Sequence, residues 1–121
     1  MIVAKQLDYK SLKIGQRGTM LKLKIVKLFG GRLTTDEQGV SIRSSIINAL
    51  ANTEEDIVVD FTGVNMILPI VVNNAIAKLF TKYSNKTDAI KRVSVIGLDQ
   101  LSREKLAVCL SNFGISDFKK F

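Results

Sequence analysis

Residues 56–80, DIVVDFTGVNMILPIVVNNAIAKLF, limit the fold more than any other stretch of this chain. Ile57-Val58-Val59 is a continuous β-branched run, the composition of a strand central in a sheet or covered on both faces. Asp60 to Asn65 supplies a turn, with Gly63 free to take positive φ. Pro69 suits a first helical position, where its missing N–H costs nothing. Val71, Val72, Ala75, Ile76, Leu79, Phe80 and Tyr83 then recur at helical spacing as a wide apolar stripe. Strand, tight turn and amphipathic helix in that order describe one unit of an α/β fold. At the corner itself, Ile67 to Val72 contains no hydroxyl, thiol or charge. Hydrocarbon stands where α/β proteins often keep their chemistry.

The flanking sequence continues the alternation. Met20 to Phe29 alternates apolar and basic residues and is expected to be a strand, after which Gly30-Gly31 turns the chain. Thr34-Thr35-Asp36-Glu37 has the T-x-x-E form of a capping box, with acids where the helix dipole favours them. The helix it starts is expected to reach about Ala51, with Val40, Ile46, Ile47 and Leu50 inward. Ser84 to Asp88 reads as a loop and Arg92 to Leu98 as a strand. Ser102 is expected to cap a last helix whose apolar side takes Leu106, Cys109, Leu110 and Phe113. The pattern implies a compact α/β domain with three crossover units on a small mixed or parallel sheet. A chain of 121 residues is one domain in size. It divides into an extension at 1–19, with one short strand near Ile2 to Lys5, a core at 20–114 and a tail at 115–121.

Charge is unevenly placed. Residues 1–32 carry eight basic side chains against one acid, Asp8, while residues 33–121 balance ten against ten. The whole excess of +7 therefore sits in the first quarter. Such a segment attracts nucleic acid, anionic lipid or an acidic protein. Lys22 and Lys24 have a plainer reading as the solvent side of a strand whose other side is Leu21, Leu23 and Ile25. Tyr9 and Phe29 are the only aromatics among these basic residues, too few for a base-stacking platform, so weak, salt-sensitive nucleic-acid contact is the expectation. No apolar run approaches the roughly 18–20 residues that span a bilayer. The first ten residues do not form a signal peptide, and a single cysteine fits a reducing cytoplasm.

Catalysis finds little material. The chain has no histidine, the side chain that most often moves protons near neutral pH and binds metals. Cys109 lies on an apolar helix stripe, as a small core residue would. Glu54-Glu55-Asp56 reads as a solvated connection, and no metal or cofactor is expected. Phe29-Gly30-Gly31-Arg32 lacks the lysine and the full glycine pattern of a phosphate loop. Arg32, Arg43 and Asp60 remain a candidate polar pocket beside the strand–helix corner, although Asp60 also suits an Asx turn and the arginines suit a solvated surface.

Four pieces of sequence fall in a familiar order: Gly31-Arg32, then Gln38-Gly39-Val40-Ser41-Ile42-Arg43, then Val58-Val59-Asp60-Phe61-Thr62-Gly63-Val64, then the helix start from Ile67 to Leu79. Together they resemble the bacterial STAS-like domains, relatives of anti-sigma-factor antagonists. The resemblance implies a mixed sheet of four or five strands with three helices packed mainly on one face, and a role in docking to other proteins. It also implies a partner such as a histidine-kinase-type ATPase or sensor, and some STAS domains bind nucleotides. In STAS antagonists a serine at the start of the second helix is phosphorylated by a partner kinase. Here that stretch is Leu68-Pro69-Ile70-Val71, with no acceptor, and the acidic pair of the STAS motif is Asn73-Asn74. The nearest hydroxyl, Thr62, suits a turn hydrogen bond.

The sequence thus points to a non-enzymatic regulatory module that is not controlled by phosphate at the usual serine. Its candidate interaction surface is Thr62, Asn65, Leu68, Pro69, Ile70 and Asn73, and the partner is another protein or a second copy of the chain. The competing arrangement folds Ile67, Leu68 and Ile70 inward onto the sheet. A basic nucleic-acid-associated accessory protein and a small nucleotide-binding domain are the alternatives.

Overall fold

A computed structural model describes residues 20–83, 86–112 and 114. In chain order its elements are β1 (Met20–Lys24), α1 (Ile25–Phe29), β2 (Arg32–Leu33), α2 (Asp36–Asn52), β3 (Asp56–Asp60), β4 (Met66–Ile67), α3 (Pro69–Val72), a π-helical turn (Asn73–Ala77), α4 (Lys78–Lys82), α5 (Lys86–Arg92), β5 (Val93–Ile96) and α6 (Gln100–Asn112). The expected strand near Ile2 to Lys5, the extension at 1–19, Phe113 and the tail at 115–121 lie outside the described residues.

β3 is central, as its β-branched run requires, and pairs in parallel with β1 on one side and β5 on the other. The register places Leu21, Ile57 and Val93 in one row and Leu23, Val59 and Val95 in the next; all six are buried. The opposite face carries Lys22, Val58 and Ser94 in register, each half-buried. A period-two pattern therefore divides the sheet into one hydrocarbon face and one mixed face. Ile42, Ile46, Ala49 and Leu50 of α2, together with Val71, Val72, Ala75, Ile76, Leu79 and Phe80, join the sheet residues in one core.

Two parallel sheets replace the single mixed one. β2 and β4 pair only with each other, Arg32 opposite Met66 and Leu33 opposite Ile67. The segments after β1 and β3 meet there, where the Gly31 carbonyl accepts from the N–H groups of both Asn65 and Met66, at 2.8 and 3.1 Å.

Other boundaries move for local reasons. The strand expected over Met20–Phe29 ends at Lys24, because Ile25, Val26, Leu28 and Phe29 have helical rather than alternating spacing. The resulting turn of helix buries Ile25 and closes with the Gly30 N–H donating to Val26 O at 3.0 Å. The capping box shifts by one residue. Thr35 Oγ1 accepts from the Gln38 N–H, and Gln38 Oε1 accepts from the Thr35 N–H, both at 3.1 Å. Leu33 is fully buried beside Ile67, so the helix cannot begin until the chain has left β2. Val40 lies outside, and the inner line is Gly39, Ile42, Ile46 and Ala49/Leu50. Part of the expected 84–88 loop is α5, which begins at Lys86. Ser102 does not cap α6; Asp99 does, its Oδ1 accepting from the Ser102 N–H at 2.7 Å.

Arg92, the last residue of α5, joins that helix to the end of α2 and to the connection that leads into β3. Its guanidinium donates to Leu50 O (3.2 Å), Thr53 O (2.9 Å) and Glu55 O (2.8 and 3.2 Å), and pairs with Asp88 at 2.8 Å. The side chain is only 15% exposed. It satisfies the carbonyls where α2 ends and β3 is about to begin, a place with no basic residue in the helix's own last turn. Replacing Arg92 by methionine is expected to cost about 2–3 kcal/mol by leaving those carbonyls without their charged donor. Urea denaturation checks this as a lowered midpoint at unchanged slope.

Candidate functional site

The corner between β3 and α3 is built on backbone hydrogen bonds. Asp60 is buried at the strand end, and its Oδ1 accepts from the Thr62 N–H at 2.9 Å, an Asx turn. Its contact with Lys22 is longer, 3.9 Å, and Lys22 is 41% exposed. A pair so solvated contributes under about 1 kcal/mol, so the turn bond is the main role of Asp60. Phe61 is buried, with its N–H donating to Ile96 O at 2.9 Å. Gly63 takes φ +92° and brings the chain round, and the Leu68 N–H donates to Leu33 O at 2.9 Å. Leu68 is the extended N-cap of α3 and Pro69 follows at the first helical position, with no side-chain cap.

This scaffold turns the corner's hydrocarbon outward. Thr62, Asn65, Leu68, Pro69, Ile70 and Asn73 are all exposed, Leu68 by 39% and Ile70 by 47%. The inward arrangement holds only for Ile67, which is half-buried against the core. Met66 adds to the exposed group. Across from it, α6 exposes Leu101 by 62% and Val108 by 61%. Pro69, Leu101 and Cys109 line one depression between the two elements, and Leu101, Val108 and Cys109 line the next. Pro69 therefore joins the corner to α6 through the first of these depressions. Cys109 is half-buried at its edge rather than sealed in the core.

Arg32, Arg43 and Asp60 do not assemble into a pocket. Asp60 is engaged by Thr62 and Lys22. Arg32 is exposed at the start of β2, and its carbonyl accepts from Gln38. Arg43 reaches from α2 to the carbonyl of Asn74, at 2.8 Å. α2 carries Arg43 to a partner other than Asp60, and the small sheet leaves Arg32 exposed. Among the described residues, no group of three or more acidic, cysteine or histidine side chains is placed to hold a metal.

What sequence reasoning missed is the device that holds the corner's helix. Asn73–Ala77 forms a π turn in which the Lys78 N–H donates to Asn73 O, five residues back. Within this turn the Asn74 carbonyl accepts from the Arg43 guanidinium. The buried Asn74 side chain hydrogen-bonds to Asp36 in the first turn of α2. Ala75, Ile76 and Ala77 are buried as well, and the turn packs against both α2 and α6. Gly39 permits this approach: a Cβ there would lie 2.7 Å from Asn74 Cβ and 3.0 Å from Val71 O. A glycine and an asparagine inside expected helices were the available signals, but their meeting joins positions 35 residues apart.

Glycine-to-alanine substitution in a helix interior ordinarily stabilises by about 1 kcal/mol. Gly39→Ala is expected to do the reverse, destabilising by about 1–3 kcal/mol through overpacking. Thermal or urea unfolding of the variant reads the sign directly.

A family model described as "STAS-like domain of unknown function (DUF4325)" matches residues 38–103, from the third helical position of α2 to the start of α6. No curated protein and no solved structure matches the chain.

Proposed function

The chain belongs to the family of STAS-like domains of unknown function, and from that premise we propose that it is a non-enzymatic regulatory module that docks to another protein through its β3–α3 corner. The observation that carries this reading is the exposed hydrocarbon of Leu68 and Ile70, with Pro69 between them lining a depression shared with Leu101 of α6. Single exposed leucines are ordinary, but an apolar run shared by two elements and edged by Thr62, Asn65 and Asn73 has the composition of an interface: an apolar centre with a polar rim. The STAS resemblance supplies the class of role, and a sensor or kinase-type ATPase is the class of partner proposed on that ground.

The regulation proposed here does not run through phosphate at the helix start. A phosphoryl group would bring about −1.5 to −2 charges and needs an acceptor hydroxyl. Leu68, Pro69, Ile70 and Val71 offer none. Hydrocarbon at this position favours a contact governed by fit rather than by a charge that can be added and removed.

The test is capture of partners from the native host with the wild-type chain and with Ile70→Glu. Ile70 is exposed, so the variant is expected to keep its unfolding midpoint within about 0.5 kcal/mol of wild type. It is expected to lose a specific partner at least tenfold, the cost of burying an unpaired charge in an interface. Undiminished capture of the same partner by a folded Ile70→Glu chain would sink the proposal.

A further inference from the structure

The depression between the corner and α6 is deep enough to be a site in its own right. It encloses about 220 Å³. Ile67, Pro69, Val72, Ala77 and Leu106 give it hydrocarbon walls. Ser102 lies among them and is 7% exposed. Its backbone N–H is taken by Asp99, but its hydroxyl has no hydrogen-bond partner among the described residues. Every fully enclosed side-chain nitrogen and oxygen described has a partner. The Ser102 hydroxyl is therefore open to the cavity rather than sealed. A hydroxyl open to the cavity can exchange its contact with water for a ligand group that bonds to it, which gives the site one directional point.

Asp99 and Lys105 both line the same cavity, as does Asn73, whose Oδ1 accepts from the Cys109 thiol at 3.9 Å. A ligand with net charge of either sign would meet repulsion as well as attraction, whereas a neutral one meets neither. The volume somewhat exceeds the roughly 150 Å³ cavity that holds a benzene ring. We infer that this cavity binds a small neutral amphiphile: one aromatic or branched apolar body bearing a single hydroxyl or carbonyl directed at Ser102. The binding site goes beyond the docking reading and does not depend on it.

Cys109 lines the cavity and is the only cysteine of the chain, so its alkylation by iodoacetamide reports occupancy. The probes are 4-methylphenol and toluene, which differ by the hydroxyl alone. With wild-type protein, millimolar 4-methylphenol is expected to slow alkylation several-fold and to move amide resonances within residues 67–77 and 99–109. Ser102→Ala is expected to weaken 4-methylphenol roughly three- to tenfold and to leave toluene unchanged. Ile70 does not line the cavity, so Ile70→Glu is expected to retain the protection whether or not it loses a docking partner. Alkylation of wild-type Cys109 that 4-methylphenol leaves unchanged would overturn the site. Equal loss of both probes in Ser102→Ala would overturn the role given to the hydroxyl.

Discussion

Helix α2 can lie against the helix that leaves the corner only because residue 39 has no side chain. A single methyl group there would overlap Asn74 and the Val71 carbonyl. That contact fixes the rest of the arrangement. It places Asp36 within reach of the Asn74 side chain and Arg43 within reach of the Asn74 carbonyl. Both bonds act on the π turn, the one stretch where the helix has given up its regular ladder. With Arg43 supplied from α2 the turn becomes a fixed joint, and the segment from Val71 to Phe80 stays packed on every side but one.

The side left over is the outward one, and it decides the character of the corner. Leu68 and Ile70 do not fold inward because Val71, Val72 and Ile67 already occupy the positions nearest the core. The backbone of the corner spends its donors on Gly31, Leu33 and Asp60. What remains is a surface of carbon with amides and a hydroxyl at its edge. In the proposed docking role such a surface would act by shape and dehydration. The cavity beside it differs in kind, since Asn73, Asp99, Ser102 and Lys105 add polar groups to its hydrocarbon walls.

Much of this was legible in the sequence because local chemistry and tertiary context agree there. Ile57-Val58-Val59 names a central strand whatever surrounds it, and Pro69 marks a helix start by its own geometry. The stripe from Val71 to Phe80 has a period that survives even a π turn. Readings failed where two local patterns overlapped. Met20 to Phe29 carries alternation for five residues and helical spacing for the next five. Thr34 and Thr35 offer two caps one residue apart, and the burial of Leu33 chooses between them. The expected inner face of α2 includes Val40, whereas the close approach at Gly39 turns Ile42 inward and leaves Val40 exposed.

The sequence by itself determined the α/β class, the central strand, the main helices and the hydrocarbon composition of the corner. Each follows from residue type and period within a short window, where nearest-neighbour sterics and alternation suffice. Tertiary structure alone decided that the strands divide into two sheets, that Arg32 stays exposed and that Arg43 and Asp60 go to separate partners. It also decided that Leu68 and Ile70 face outward and that Ser102 opens into a cavity. These outcomes depend on which surfaces meet across 30 or more residues of chain, and no local propensity records that meeting.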